Sequence, residues 1–189
     1  MERNSKLLKK LMLAMMVAMG VVISPILRIE GMCPMSSVIN ITCAVFFGPW
    51  YALLCAVCIG IIRMFIMGIP PLALTGAVFG AFLAGLLYRI SKNTLIFAVL
   101  GEVIGTGIIG AVVSSPIMAY FWGKKGLSLM FYIPLFFTAT IIGGTIAFIF
   151  LGALSKNGML IKIQKDLGVK VYDKSTDTDK QPIANKTQC

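Results

Sequence analysis

The chain contains no histidine among its 189 residues. That removes imidazole both as a general base and as a metal ligand. Acids are scarce as well, seven against 17 lysines and arginines. All the aspartates (Asp166, Asp173, Asp177 and Asp179) lie towards the C-terminus. No two carboxylates stand close together in the apolar part of the chain, so paired-carboxylate acid–base chemistry has no candidates there. No GxxxxGK[ST] run occurs, so the chain does not cradle a nucleoside triphosphate by itself. Of Cys33, Cys43, Cys55, Cys58 and Cys189, only Cys55 and Cys58 form a CxxC. That motif lies inside an apolar run without a second pair, and zinc or redox chemistry needs accessible ligands. We read these cysteines as small packing residues and expect no metal, no cofactor and no enzyme activity.

What is present in quantity is hydrocarbon. Hydrophobic residues make up 58% of the chain and charged residues 13%, a membrane composition rather than that of a soluble core. The net charge of +10 would suggest nucleic acid in a soluble protein. Here the basic residues cluster at the ends of apolar runs and in the tail, which reads as membrane topology and not as nucleic-acid binding.

Six hydrophobic segments follow one another, at about Leu7–Leu27, Met35–Phe47, Trp50–Gly68, Leu72–Tyr88, Leu95–Phe121 and Leu129–Leu154. A bilayer crossing takes about 20 apolar residues, so the short second segment is expected to be tilted or partly irregular. Pro25, Pro34, Gly48-Pro49 and Pro70-Pro71 break the chain between segments. Arg3, Lys6, Lys9, Lys10, Arg89, Lys92 and Lys156 fall on one side, and Arg28, Glu30, Lys124 and Lys125 on the other. The positive-inside rule then places both termini in the cytoplasm. The expected fold is an all-α integral membrane protein of six transmembrane helices, with an uncleaved first span. Residues 1–156 form the membrane domain, and 157–189 form a polar cytoplasmic tail, largely disordered, in which Met159–Leu167 could make a short surface helix.

Within the apolar stretch Leu95–Phe121 there is a single charge, Glu102. An ionisable group at such a depth costs roughly 3 kcal/mol to insert, so it is expected to face the bundle interior and to be used or paired. Glu102, Thr106 and Gly110 are spaced four apart and share a helix face, continued by Val113 or Ser114. Arg63 is the other charge inside a span, at roughly 20 Å from the inner end against roughly 10–12 Å for Glu102 at 1.5 Å per residue. It either pairs with Glu102 or snorkels to the headgroups. Asn40, towards the outer end of the second segment, offers an amide that can donate and accept hydrogen bonds, to a ligand or to another helix. Tyr120, Trp122, Phe131 and Tyr132 flank the outer loop before the last segment, as interfacial anchors or as a stack for a flat ring.

Small residues recur at helical spacing. Gly76 and Gly80, Gly101 and Gly105, and Gly107 and Ala111 let helix backbones approach in lipid. Ala14 and Ala18 make a similar pair on a methionine-rich first segment, placed either inside the bundle or against another membrane subunit.

The order of several motifs resembles the ThiW family, substrate-binding (S) components of energy-coupling factor (ECF) vitamin transporters. The matching stretches are Val38-Ile39-Asn40, Gly48-Pro49-Trp50-Tyr51-Ala52, Ile62-Arg63, Gly80 to Arg89 and Gly101 to Ala111, within residues 7–156. The resemblance implies capture of a thiamine precursor, hydroxyethylthiazole, at the outer face of a prokaryotic plasma membrane. It implies ATP-driven uptake with a transmembrane T subunit and two ABC ATPase subunits, and docking of Ala14 and Ala18 on the T subunit. Asn40, Glu102, Thr106, Arg63 and Tyr132 are the substrate-binding candidates. The chain departs from the family pattern at Ser36-Ser37, where a glutamine–histidine pair is usual, and at Ile69-Pro70-Pro71, where glycine and threonine are. Both departures lie on the outer side, where the resemblance places the ligand. The alternative is a stand-alone proton-coupled transporter of a small heterocycle, with Glu102 as the relay.

Overall fold

A computed structural model describes residues 2–26, 33–121 and 129–169. Among the described residues all regular structure is helical: α1 (Glu2–Ile23), α2 (Pro34–Phe47), α3 (Pro49–Met67), α4 (Leu72–Ile90), α5 (Leu95–Glu102), a π-helical segment (Val103–Gly110), α6 (Ala111–Phe121), α7 (Leu129–Lys156) and α8 (Met159–Asp166). α5, the π segment and α6 run on without interruption.

Prolines and glycines set most boundaries. Pro34 and Pro49 open α2 and α3, where a missing N–H costs nothing. Gly48, at φ +85°, turns the chain between them. The first helix begins and ends earlier than the apolar run suggests. Ser24 and Pro25 form a turn after Ile23, because a residue before proline is pushed out of the α region.

Side chains are distributed as lipid demands. Ala44, Ala52, Ala81, Ala84, Ala98, Ala111 and Ala147 are fully buried, whereas Phe65, Ile66, Ile90 and Ile149 point outward. In a bilayer large apolar side chains gain nothing by leaving hydrocarbon, so interiors fill with small residues that let backbones close up. Among the described residues three helices are long and apolar enough to cross a membrane (Pro49–Met67, Leu95–Met118 and Ile133–Lys156), with shorter apolar helices at Pro34–Phe47 and Leu74–Ile90.

The short helix α2 is the centre of the bundle. Eleven of its 14 residues are buried, and it packs on α1, α3, α4, α5, α7 and α8. A helix enclosed on all sides has no lipid face to match to bilayer thickness, which is how about 21 Å of helix is tolerated here.

α4 packs along α5 and the π segment through glycines. A Cβ on Gly105 would lie 2.6 Å from the Phe79 carbonyl and 2.7 Å from Gly80 Cα, and one on Gly110 would lie 2.7 Å from Gly76 Cα. Gly76 and Gly80 are four apart, but Gly105 and Gly110 are five apart. At about 100° per residue an α-helix would turn Gly110 away from α4. The i→i+5 bonding of a π-helix returns it to the same face.

Beyond α7 the chain does not leave the bundle at once. α8 lays Leu160, Gln164 and, just past its end, Leu167 against the bundle, all buried. Gln164 donates to the Val45 carbonyl at 2.8 Å and its amide lies 3.1 Å from the Tyr88 hydroxyl, tying α8 to α2 and α4. Residues 170–189, which include the segment from Asp173 expected to be disordered, lie outside the described residues.

Candidate functional site

Glu102, the last residue of α5, is completely buried. Asn40 Nδ2 donates to its Oε1 at 3.0 Å and lies 3.4 Å from the Ala77 carbonyl. Thr106 Oγ1 stands 3.0 Å from the same Oε1 and 3.0 Å from the Gly76 carbonyl. A hydroxyl has one proton, so Thr106 serves one of these acceptors at a time. Three helices thus meet around one carboxyl group: α2 through Asn40, α5 with its π continuation through Glu102 and Thr106, and α4 through the Gly76 and Ala77 carbonyls, which accept from Thr106 and Asn40.

Gly80 makes room for this arrangement. A Cβ there would collide with Thr106 Oγ1 and lie 2.5 Å from Glu102 Oε2. The carboxyl group therefore sits against bare backbone. Its Oε2 has no hydrogen-bond partner, although a buried polar atom without one is costly. Further along the same interface Ser114, fully buried, hydrogen-bonds Thr75, so the polar stripe expected from Glu102 through Thr106 does extend to Ser114.

Asn40 is the seventh of the 14 residues of α2, at mid-helix rather than towards its outer end. That position is what lets it meet Glu102. Arg63 stands apart from the cluster. It is 1% exposed, near the end of α3, with Nη2 3.5 Å from Cys33 Sγ and with Nε unpartnered. Among the described residues Arg63 and Glu102 form no ion pair. Arg63 does not snorkel outward either, but is covered. The side chain of Tyr132 lies outside the described residues. Ala14 and Ala18 are both exposed on α1, beside Leu11, Met15 and Val22, while Met16 and Gly20 turn inward.

The remaining expected features are packing features. Cys55 is buried and faces Cys43 on α2, 3.4 Å between sulfurs, and not its CxxC neighbour Cys58. Among the described residues no three metal-ligating side chains gather. What sequence reading missed is the pair of α4 carbonyls that complete the Glu102 cluster, and Gln164. The first has no side-chain signal. The second did have one, a lone amide on the apolar side of an amphipathic helix.

Outward apolar side chains, small residues inside and helices of membrane-crossing length define a multi-pass membrane protein with a buried polar cluster at its centre. Residues 11–157 match the ThiW family, described as "Thiamine-precursor transporter protein (ThiW)", and the chain belongs to that family. It is a family of transporters and not of enzymes. No curated protein and no solved structure matches the chain.

Proposed function

We propose that this protein is the S component of an ECF-type importer, which captures hydroxyethylthiazole from outside a prokaryotic cell and delivers it with a T subunit and two ABC ATPases. In this reading six spans cross the plasma membrane and both termini are cytoplasmic. The observation that carries it is the buried Asn40–Glu102–Thr106 cluster, in which Oε2 makes no hydrogen bond, in a thiamine-precursor transporter family chain with no ATP-binding loop. Arg63, buried with a free Nε, and Tyr132 are the proposed additional ligand contacts. The exposed Ala14 and Ala18 support docking on the T subunit, since a strip of small residues between larger ones lets a partner helix come close.

The reading predicts binding without ATP, and uptake only with the partner subunits. Hydroxyethylthiazole should raise the melting temperature of the purified protein, and mass spectrometry should find it carried through purification. An unchanged melting temperature removes this substrate, and failure to co-purify with T and ATPase subunits removes the class. Full burial of Glu102 also supports the second reading, proton-coupled transport by the chain alone. Uptake into liposomes by this chain alone, driven by a pH gradient and abolished by Glu102→Gln, would establish that reading instead.

A further inference from the structure

A basic pocket of ≈ 250 Å³ opens at the end of the bundle where α1 starts and α4 finishes. Its lining comes from distant parts of the chain: Lys9, Tyr51, Tyr88, Arg89, Asn93 and Gly168 among others. Among the described residues Lys9 and Arg89 are its charges, and no acid lines it. Among the described residues neither cation forms an ion pair. Asp166, two residues before Gly168, is exposed and outside the lining. Lys9 is held in place, half-buried, with Nζ 5.9 Å from the centre of the Tyr51 ring. The space would hold on the order of eight waters at ~30 Å³ each.

Trp50 and Tyr51 are shared with a second depression of ≈ 360 Å³, which continues up the outside of α3 over Leu53, Leu54 and Val57. Its lining is apolar apart from the Tyr51 hydroxyl and the Trp50 indole N–H. Both residues line both spaces. Tryptophan and tyrosine favour the headgroup level of a bilayer. A cationic pocket at that level, running into an apolar groove along a helix, has the shape and polarity of an amphiphile with an anionic head and a hydrocarbon tail. Basic residues placed only for topology would need neither the enclosure nor the groove.

We propose that this pocket and groove bind an anionic phospholipid, its phosphate between Lys9 and Arg89 and an acyl chain along Leu53, Leu54 and Val57. Free inorganic phosphate shares the head chemistry but not the tail, so the groove is what favours lipid. The site is independent of the Glu102 cluster and of the proposed transport role.

The test uses the full chain in detergent, titrated with phosphatidylglycerol, phosphatidylcholine or inorganic phosphate while thermal unfolding is followed. Phosphatidylglycerol should stabilise most. Lys9→Gln with Arg89→Gln should weaken its binding about thirtyfold. Lys10→Gln with Lys162→Gln removes the same charge from exposed positions outside the pocket and should leave binding within about twofold. Equal losses in the two double variants, or equal stabilisation by phosphatidylcholine, would overturn the proposal. Inorganic phosphate acting as strongly as phosphatidylglycerol would overturn the lipid assignment. Should the pocket variant not fold, Trp122→Phe protein reports through Trp50. Acyl-brominated phosphatidylglycerol should quench its fluorescence more than brominated phosphatidylcholine does, and equal quenching counts against the site.

Discussion

Asn40 and Glu102, 62 residues apart in the chain, are joined by a 3.0 Å hydrogen bond at the centre of the bundle. The contact links the enclosed helix α2 to α5 just where the latter passes into its π-helical turn. It positions one carboxylate oxygen and leaves the other free. The side-chain predictions below follow from how this group and its neighbours are seated.

Asn40→Ala should destabilise the protein by about 1–3 kcal/mol, since Glu102 then loses its amide donor in a site closed to water. Glu102→Gln should cost less, because the amide oxygen can still accept from Asn40. Both should weaken ligand binding. Thermal unfolding with and without hydroxyethylthiazole separates the structural from the binding effect.

Gly80→Ala should cost about 1–3 kcal/mol, because its Cβ meets Thr106 Oγ1 and Glu102 Oε2 and the α4–α5 interface must open. Gly152→Ala is the control. Nothing lies within 4 Å of a Cβ there, and alanine in a helix is favoured over glycine by roughly 0.5–1 kcal/mol. The first variant should melt below the parent protein and the second at or above it.

Gln164→Ala should leave the Val45 carbonyl without its donor and strip Tyr88 of its amide contact, at about 1–3 kcal/mol. The consequence should be local. Hydrogen exchange across 159–166 should rise sharply while exchange in α2 and α4 changes little, since α8 rests on the bundle but does not hold it together.

Ala14→Leu with Ala18→Leu should not move the melting temperature of the isolated protein, because both positions face outward. Co-purification with the T subunit and ATP-driven uptake should fall together. A drop in the stability of the isolated chain would show instead that this face packs within the bundle.

The helical character of the chain and the local neighbour of Glu102 on its own helix could be read directly from residue order. Thr106 lies one turn from Glu102, so their meeting needs only helical periodicity, and the exclusion of Glu102 from lipid needs only its charge. Asn40 was visible as a polar residue in an apolar helix, but its partner was not, because a hydrogen bond across 62 residues depends on which helices become neighbours. The pairing of Arg63 with Glu102 illustrates the limit. Depth along two helices left it open, and lateral placement sends Arg63 to Cys33.

Composition and periodicity by themselves determined a membrane-embedded, helical protein, because long apolar runs and their breaks are properties of residue order alone. Tertiary structure decided the rest. It chose the π turn that aligns Gly105 and Gly110 on α4, the enclosure of α2, the covering of Arg63 and the seating of Gln164 on a carbonyl 119 residues away. Each depends on the lateral arrangement of helices, and helices with similar apolar faces carry no local signal that names their neighbours.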